Sequence, residues 1–281
     1  MVESAVCGVC YRHCVIKEGE YGFCKVRTTK DGKVVPANYG QITSMALDPI
    51  EKKPLNRFYP GSFIVSVGSY GCNLRCPFCQ NYEISWGDEV DLVKKEAEYV
   101  SPEELAMIAK EQVKNKNIGV AFTYNEPLIA YEYVIDTAKL LKEEGLKTVL
   151  VTNGMAETST VKELFEYVDA MNVDLKGFTD NYYRDLLKGD RQMVMNFIKD
   201  AVKHCHVELT TLIIPGENDS EDEIDKLSLW ISELDPEIPL HISRFFPKFH
   251  MTDRNATSVE KIYRLKEVAN RHLKYVYTGN C

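Results

Sequence analysis

The sequence predicts an α/β fold: a partial (β/α)6 barrel of parallel strands, with a small cysteine-rich metal-binding module ahead of it. Three observations lead there. From Phe63 onward, β-branched and aromatic runs alternate with helical patterns. Residues 1–36 hold Cys7, Cys10, Cys14 and Cys24 but few large apolar side chains. Residues 36–62 carry four prolines and little periodicity, which predicts an extended connector over 37–62 lying on the main domain, residues 63–281.

The elements follow in order. Residues 63–70, FIVSVGSY, are the first barrel strand. The next helix opens with Ser101 as N-cap, Pro102 at the first helical position and Glu104 closing a capping box. Strand 119–124 precedes a helix over about 128–144 that stops at Gly145. Strand 147–154, helix 158–168, strand 170–177, helix 192–204 and strand 207–216 continue the alternation. Helix 220–234, strand 239–246 and helix 259–273 complete six βα units, and 275–280 adds a short edge strand. Six units are too few for a closed eight-stranded barrel. They suit a partial, TIM-like one, whose chemistry sits at the carboxyl ends of the strands.

Composition narrows the function classes. Apolar residues make up 44% and charged residues 27% of 281, ordinary for a soluble globular protein. No apolar run approaches the ~18 residues that span a bilayer, and the first residues show no secretory signal. The net charge of −8 comes without a long basic block, so neither membrane nor nucleic acid is an expected partner. Nine cysteines without an export signal predict a reducing, cytoplasmic setting in which clustered thiols bind metal. Cys205 and Cys281 stand alone and are expected to be a small buried hydrophobe and an incidental terminal residue.

The first strand runs straight into GCNLRCPFCQN, with Cys72, Cys76 and Cys79 in eight residues. Thiolates usually hold a 4Fe–4S cluster in fours. Three leave one iron free, which suits a reactive cluster as an open position suits a catalytic metal. A zinc knuckle borrowing a fourth ligand, or an electron-transfer site, is the bland alternative.

CNLRCPFC resembles the CxxxCxxC signature of the radical S-adenosylmethionine (radical SAM) superfamily. The resemblance implies a 4Fe–4S cluster whose open iron is chelated by S-adenosylmethionine, reductive cleavage of that cofactor, and a 5′-deoxyadenosyl radical that abstracts hydrogen. It also implies roles at later strand ends. TYNEP (123–127) resembles the segment that holds the methionyl amino group, with Glu126 as acceptor and Asn125 as a further contact. VTNG (151–154) offers Thr152 and Asn153 to the ribose, although Val151 stands where an Asp is frequent. VDLKG (173–177) resembles a segment of glycyl-radical activases, with Asp174 and Lys176 alternating to one face and Lys176 near the cofactor carboxylate. In HISRFF (241–246), His241 matches a cofactor-reaching histidine and Arg244 suits an anionic group. Phe78 takes the position whose backbone contacts the adenine.

CGVCYRHC and GEYGFCKVR place four thiols within 18 residues. So short a segment builds no self-sufficient core, and a metal could supply the missing stability. A closed zinc site is the simplest assignment and an auxiliary iron–sulfur cluster its rival, with His13 outside the ligand set. With DPIEKKPL (48–55), CQNYEIS (79–85) and SRFFP (243–247), this pattern resembles the AmmeMemoRadiSam group of radical SAM enzymes, often labelled pyruvate formate-lyase activating enzyme-like. The resemblance implies an oxidoreductase served by a flavodoxin- or ferredoxin-type reductant, with a protein or peptide substrate. Radical modification of a small molecule is the alternative within that class. A noncatalytic iron–sulfur or zinc protein is the alternative outside it.

Overall fold

The computed structural model describes residues 4–281. Eight strands form one sheet: β1 (Ser44–Pro49), β2 (Phe63–Gly68), β3 (Asn117–Phe122), β4 (Lys147–Thr152), β5 (Ala170–Asp174), β6 (His206–Ile213), β7 (Leu240–Arg244) and β8 (Val276–Gly279). They lie side by side in chain order, and every neighbouring pair from β2 to β8 is parallel. Each crossover therefore moves the chain one place in the same direction. Right-handed crossovers then put all helices on one face and roll the other face inward. The six predicted strands and the edge strand all form, shorter by one to three residues at their carboxyl ends.

Strand alternation decides which residues face which side. Val65, Val67, Val120, Phe122, Leu150, Met171, Leu240 and Ile242 pack outward in the large core beneath the helices. The helices Pro102–Glu111, Tyr131–Glu143, Arg191–Ala201, Glu221–Leu234 and Val259–Ala269 bury their apolar stripes against that face. Ser101 caps as predicted, with the full capping box and Pro102 behind it, a device that stabilises a helix by ~1 kcal/mol. Inward-facing Ile64, Ala121, Val149 and Ala170 form a separate small core with Ile50 and Leu55.

Those last two residues come from the expected connector, which does more than lie on the surface. Residues 44–49 pair antiparallel with β2 and become the sheet's edge. Residues 50–58 then plug the amino-terminal end of the half-barrel. Ile50 and Leu55 are fully buried there, each stabilising by about 1.5–3 kcal/mol. The backbone N–H groups of Asn56 and Arg57 donate to the Glu208 carboxylate at 3.0 and 2.7 Å. Asn172 donates to the Pro54 carbonyl at 2.9 Å.

Several helical expectations change in kind. The predicted helix 158–168 is α-helical only over Thr158–Val161 and tightens to 3-10 over Lys162–Glu166. The helix expected from about 128 begins as a 3-10 turn, Pro127–Ala130. Two short helices, Tyr82–Ser85 and Val90–Glu96, and a π-turn, Tyr182–Leu187, were not predicted.

The cysteine-rich segment folds as two hairpins, Ser4–Val6 with Val15–Lys17 and Arg27–Lys30 with Lys33–Pro36. It is fastened to the barrel by polar contacts. The Arg27 guanidinium is buried against Glu132, at 2.7 and 2.8 Å from its two carboxylate oxygens. Glu157 N–H donates to the Val9 carbonyl at 2.8 Å, and the Thr160 hydroxyl donates to the Gly8 carbonyl at 2.7 Å.

Candidate active site

The carboxyl ends of β2 to β7 surround a cavity of about 470 Å³. Its lining includes Cys72, Cys76 and Cys79 from the loop after β2, with Phe78 buried between the last two. None of the other cysteines lines it. The loop leaves the strand through Gly71, whose φ of +88° favours glycine. A Cβ there would stand 2.7 Å from the Cys24 carbonyl and 2.3 Å from Val26 Cγ2. The cysteine loop thus lies directly against the N-terminal hairpins. Arg75 ties the two together: it bonds to the carbonyls of Cys72 and Phe23, and its guanidinium stacks on the Phe23 ring.

Glu126 is the most heavily engaged acid in the cavity. Its carboxylate accepts from the Thr152 hydroxyl at 2.6 Å, Asn153 N–H at 2.8 Å and Leu128 N–H at 3.0 Å. Burial nevertheless pushes its carboxyl up to about 7, against the pull of those three donors. Asp174 and Lys176, on alternate positions as expected, both line the cavity and pair at 2.8 Å. Burial opposes the Lys176 charge, but the paired Asp174 carboxylate outweighs it and holds the ammonium above its ordinary range.

Asn125 and Asn153 border the cavity but spend their amides on the loop. Asn125 accepts from Ser69 N–H at 2.9 Å and donates to the carbonyls of Tyr70 and Gly71 at 3.0 and 3.2 Å. Asn153 accepts from Met155 N–H, donates to the Asn73 side chain at 2.9 Å and stands 3.7 Å from Cys72 Sγ. Both brace the loop that carries the thiols.

Two expected cofactor contacts lie elsewhere. His241 faces inward like Ser243 but sits one layer deeper, outside the cavity lining. Its Nε2 is 2.6 Å from Glu208 and its ring stacks on Tyr277. Arg244 has the opposite strand parity to Ser243. It donates to the Thr257 carbonyl at 2.6 Å and is absent from the cavity wall. The wall also contains Lys52, Lys53, Tyr124, Thr210, Ser243 and Asn280, to which the sequence reading assigned no role, although several lie in the quoted motifs. Positive φ at Tyr124, +71°, is a backbone signal that sequence does not display.

The model of the radical SAM superfamily matches residues 66–227. This protein belongs to the radical SAM superfamily. Among its relatives is an uncharacterized protein of Methanocaldococcus jannaschii, 40% identical over 98% of this chain and 80% of the relative. Another is the pyruvate formate-lyase 1-activating enzyme of Escherichia coli, 28% identical over 56% of this chain and 63% of that enzyme. Among solved structures, Streptococcus suis SuiB bound to S-adenosylmethionine superposes with a TM-score of 0.60 at 16% identity, covering 78% of this chain and 52% of SuiB. A radical SAM methyltransferase from Sphaerobacter thermophilus gives 0.58 at 17% identity, over 79% of this chain and 67% of that one. Both likenesses show the shared partial barrel.

Membership implies a 4Fe–4S cluster and S-adenosylmethionine, and the residues fit both. Cys72, Cys76 and Cys79 share one cavity wall, a donor set of three thiols that suits a 4Fe–4S cluster with one iron left open. Burial pushes the Cys76 thiol up to about 12, so positive charge from bound iron is what would stabilise its thiolate. The four N-terminal thiols line one small pocket, and Cys24 Sγ accepts from Arg27 N–H at 3.3 Å. His13 is exposed and lies 3.8 Å from Glu157. Cys205 packs half-buried beside the Ala201 carbonyl and Cys281 is exposed, both apart from either group.

The Glu126 environment makes a pH prediction. A carboxyl titrating near 7 pairs with an ammonium group only once ionised, so affinity should grow with pH through that value. With Glu126 as the acceptor of the cofactor ammonium, the Kd for S-adenosylmethionine should fall roughly 25-fold between about pH 5.5 and 7.5. Equilibrium dialysis should show that slope in the native protein and a flat, weaker profile in Glu126→Gln. An equal slope in both would remove Glu126 from the amino-group site.

Proposed function

We propose that this protein cleaves S-adenosylmethionine reductively and uses the product to take a hydrogen atom from a protein or peptide, in the manner of a glycyl-radical activase. When bound, the cluster supplies one electron to the sulfonium, whose sulfur–carbon bond breaks to leave methionine and a 5′-deoxyadenosyl radical. The observation that carries this reading is the arrangement of three thiols with Glu126 and the Asp174–Lys176 pair around one cavity at the strand ends.

The chain's own residues divide the work. Cys72, Cys76 and Cys79 would hold three irons of a bound cluster and leave the fourth open to the cofactor. Glu126, positioned by Thr152, accepts from the cofactor ammonium, a charge-assisted bond stronger than a neutral one. Lys176 faces the cofactor carboxylate, and Asp174 keeps it charged and aimed. Asn125 and Asn153 hold the cluster loop against the strand ends, and Phe78 closes the adenine side. The electron comes from a flavodoxin- or ferredoxin-type reductant. The thiols of Cys7, Cys10, Cys14 and Cys24 form a separate site. A metal held there, as zinc or a second cluster, would stiffen the hairpins against which the Gly71 loop rests.

The substrate class is tested by isotope transfer. A cell protein fraction labelled with deuterated glycine is incubated with reduced protein and S-adenosylmethionine. Deuterium should appear in 5′-deoxyadenosine, and prior proteolysis or removal of the protein fraction should abolish it. Deuterium arising instead from a labelled small-molecule fraction would move the substrate out of the protein class.

A further inference from the structure

The end of the cavity formed by the plug has a chemistry that the cofactor reading does not use. Lys53 is 3% exposed, yet its side chain lines the cavity. Its backbone is fixed between Ile50 and Leu55, both buried in the half-barrel. Lys53 Nζ donates to Asp48 Oδ2 at 2.9 Å. An ammonium has three N–H bonds, and two of these have no protein acceptor among the described residues. Buried donors without partners are costly, so an acceptor is due from the cavity.

The neighbouring groups leave that end cationic. Asp48 also receives Lys52 at 3.4 Å and the Tyr124 hydroxyl at 2.8 Å. One carboxylate thus faces two ammonium groups, and its Oδ2 already takes two donors. Among the described residues, the acids lining the cavity are Glu126 and Asp174. The first is held by three donors, and the second is paired with Lys176. Thr210, Ser243 and Asn280 supply neutral polar groups across the space.

Tyr124 adds a second signal. Its φ of +71° is rare for a residue with a side chain. Backbone strain of this kind persists where the surroundings enforce it, and it gathers at functional sites. Here it brings the ring to within 4.7 Å of Lys53 Nζ and the hydroxyl to Asp48. Gly68 leaves the room: a Cβ there would meet the Tyr124 ring at 2.8 Å. A bridge serving only to fasten the plug needs one lysine and one carboxylate. It does not need a second ammonium or a strained tyrosine.

We propose that Lys53 and Lys52, with Tyr124 and Asp48 setting their positions, form a subsite for an anionic oxygen group of the substrate, a carboxylate or a phosphate. This deepens the reading above and rests on it in one respect: the cavity that takes the cofactor also admits the reacting part of the substrate. The anion anchors the substrate at the plug, across the cavity from the cysteine loop.

The test uses oxidised holoprotein, with and without S-adenosylmethionine, so that no turnover is required. It is titrated separately with sodium phosphate and sodium acetate, with chloride holding ionic strength constant, and the melting temperature is followed. At least one anion should stabilise saturably, and the tighter of the two names the group. Lys53→Gln should raise the half-saturating concentration at least tenfold. Lys52→Gln, whose side chain is 68% exposed and carries little folding risk, should raise it about threefold. No saturable stabilisation, or the same midpoint in the native protein and Lys52→Gln, overturns the subsite. Failure of the reduced native protein to form 5′-deoxyadenosine would overturn the radical reading instead, and an anion site read on oxidised protein would survive it.

Discussion

Cys76→Ala is expected to reduce 5′-deoxyadenosine release to background and to strip most of the iron from the reconstituted protein. Cys76 is the middle cysteine of the loop, buried at the cavity wall. Removing it leaves two cluster corners without protein sulfur. Beyond Cys72 and Cys79, no thiol lines the cavity to replace it. Cys72→Ala and Cys79→Ala should behave alike. Cys205→Ala is the matched control: that thiol packs beside the Ala201 carbonyl, away from both cysteine groups, so colour and cleavage should persist. Iron analysis and product chromatography on the four variants decide the matter. Full cleavage by any loop variant would remove that cysteine from the ligand set.

The second large effect concerns stability. Glu208 is 0% exposed and gathers four donors: His206 at 3.0 Å, His241 at 2.6 Å, and the N–H groups of Asn56 and Arg57. Glu208→Ala would leave both histidines and two plug amides without their acceptor. Losses of this kind cost about 3–5 kcal/mol, or a fall in Tm on the order of 10 °C for a chain of this size. Burial works against the carboxylate, but His206, His241 and the two amides outweigh it and hold its carboxyl down at about 2. The folded value lies below the ordinary one, so the stabilisation is fully present above about pH 4.5 and fades as pH falls toward 2. It amounts to on the order of 3 kcal/mol. Thermal melts at pH 7 and in acid should show the native protein converging on Glu208→Ala as pH drops. A constant gap across that range would mean the carboxylate charge is not what holds the plug.

The sequence displayed what is local and periodic. The barrel strands announced themselves through β-branched runs, and Ser101-Pro102 with Glu104 marked a helix start that forms as written. Cys72, Cys76 and Cys79 were legible because a cluster loop needs its thiols close together in the chain. Glu126, Asp174 and Lys176 were legible because each follows a recognisable strand end. What stayed hidden depends on depth and on long-range partners. Alternation tells which face His241 takes but not which layer, and its partner Glu208 lies on the preceding strand. Arg244 has the wrong parity for the cavity, which the motif alone conceals. The edge strand 44–49 shows no strand pattern, since pairing with β2 defines it. Lys53 lies in the expected connector, and its burial shows only once Ile50 and Leu55 are seen inside the half-barrel. The π-turn at Tyr182–Leu187 likewise follows tertiary contacts, among them the bond from Lys176 N–H to the Tyr183 hydroxyl at 2.9 Å.

Electron–nuclear double resonance on the anaerobically reduced protein, with S-adenosylmethionine labelled at its amino nitrogen, addresses the open iron most directly. The account predicts a nitrogen-15 coupling to the cluster that gives way to a nitrogen-14 coupling with unlabelled cofactor and weakens in Glu126→Gln. A fully formed cluster showing no coupling to the cofactor nitrogen would contradict it.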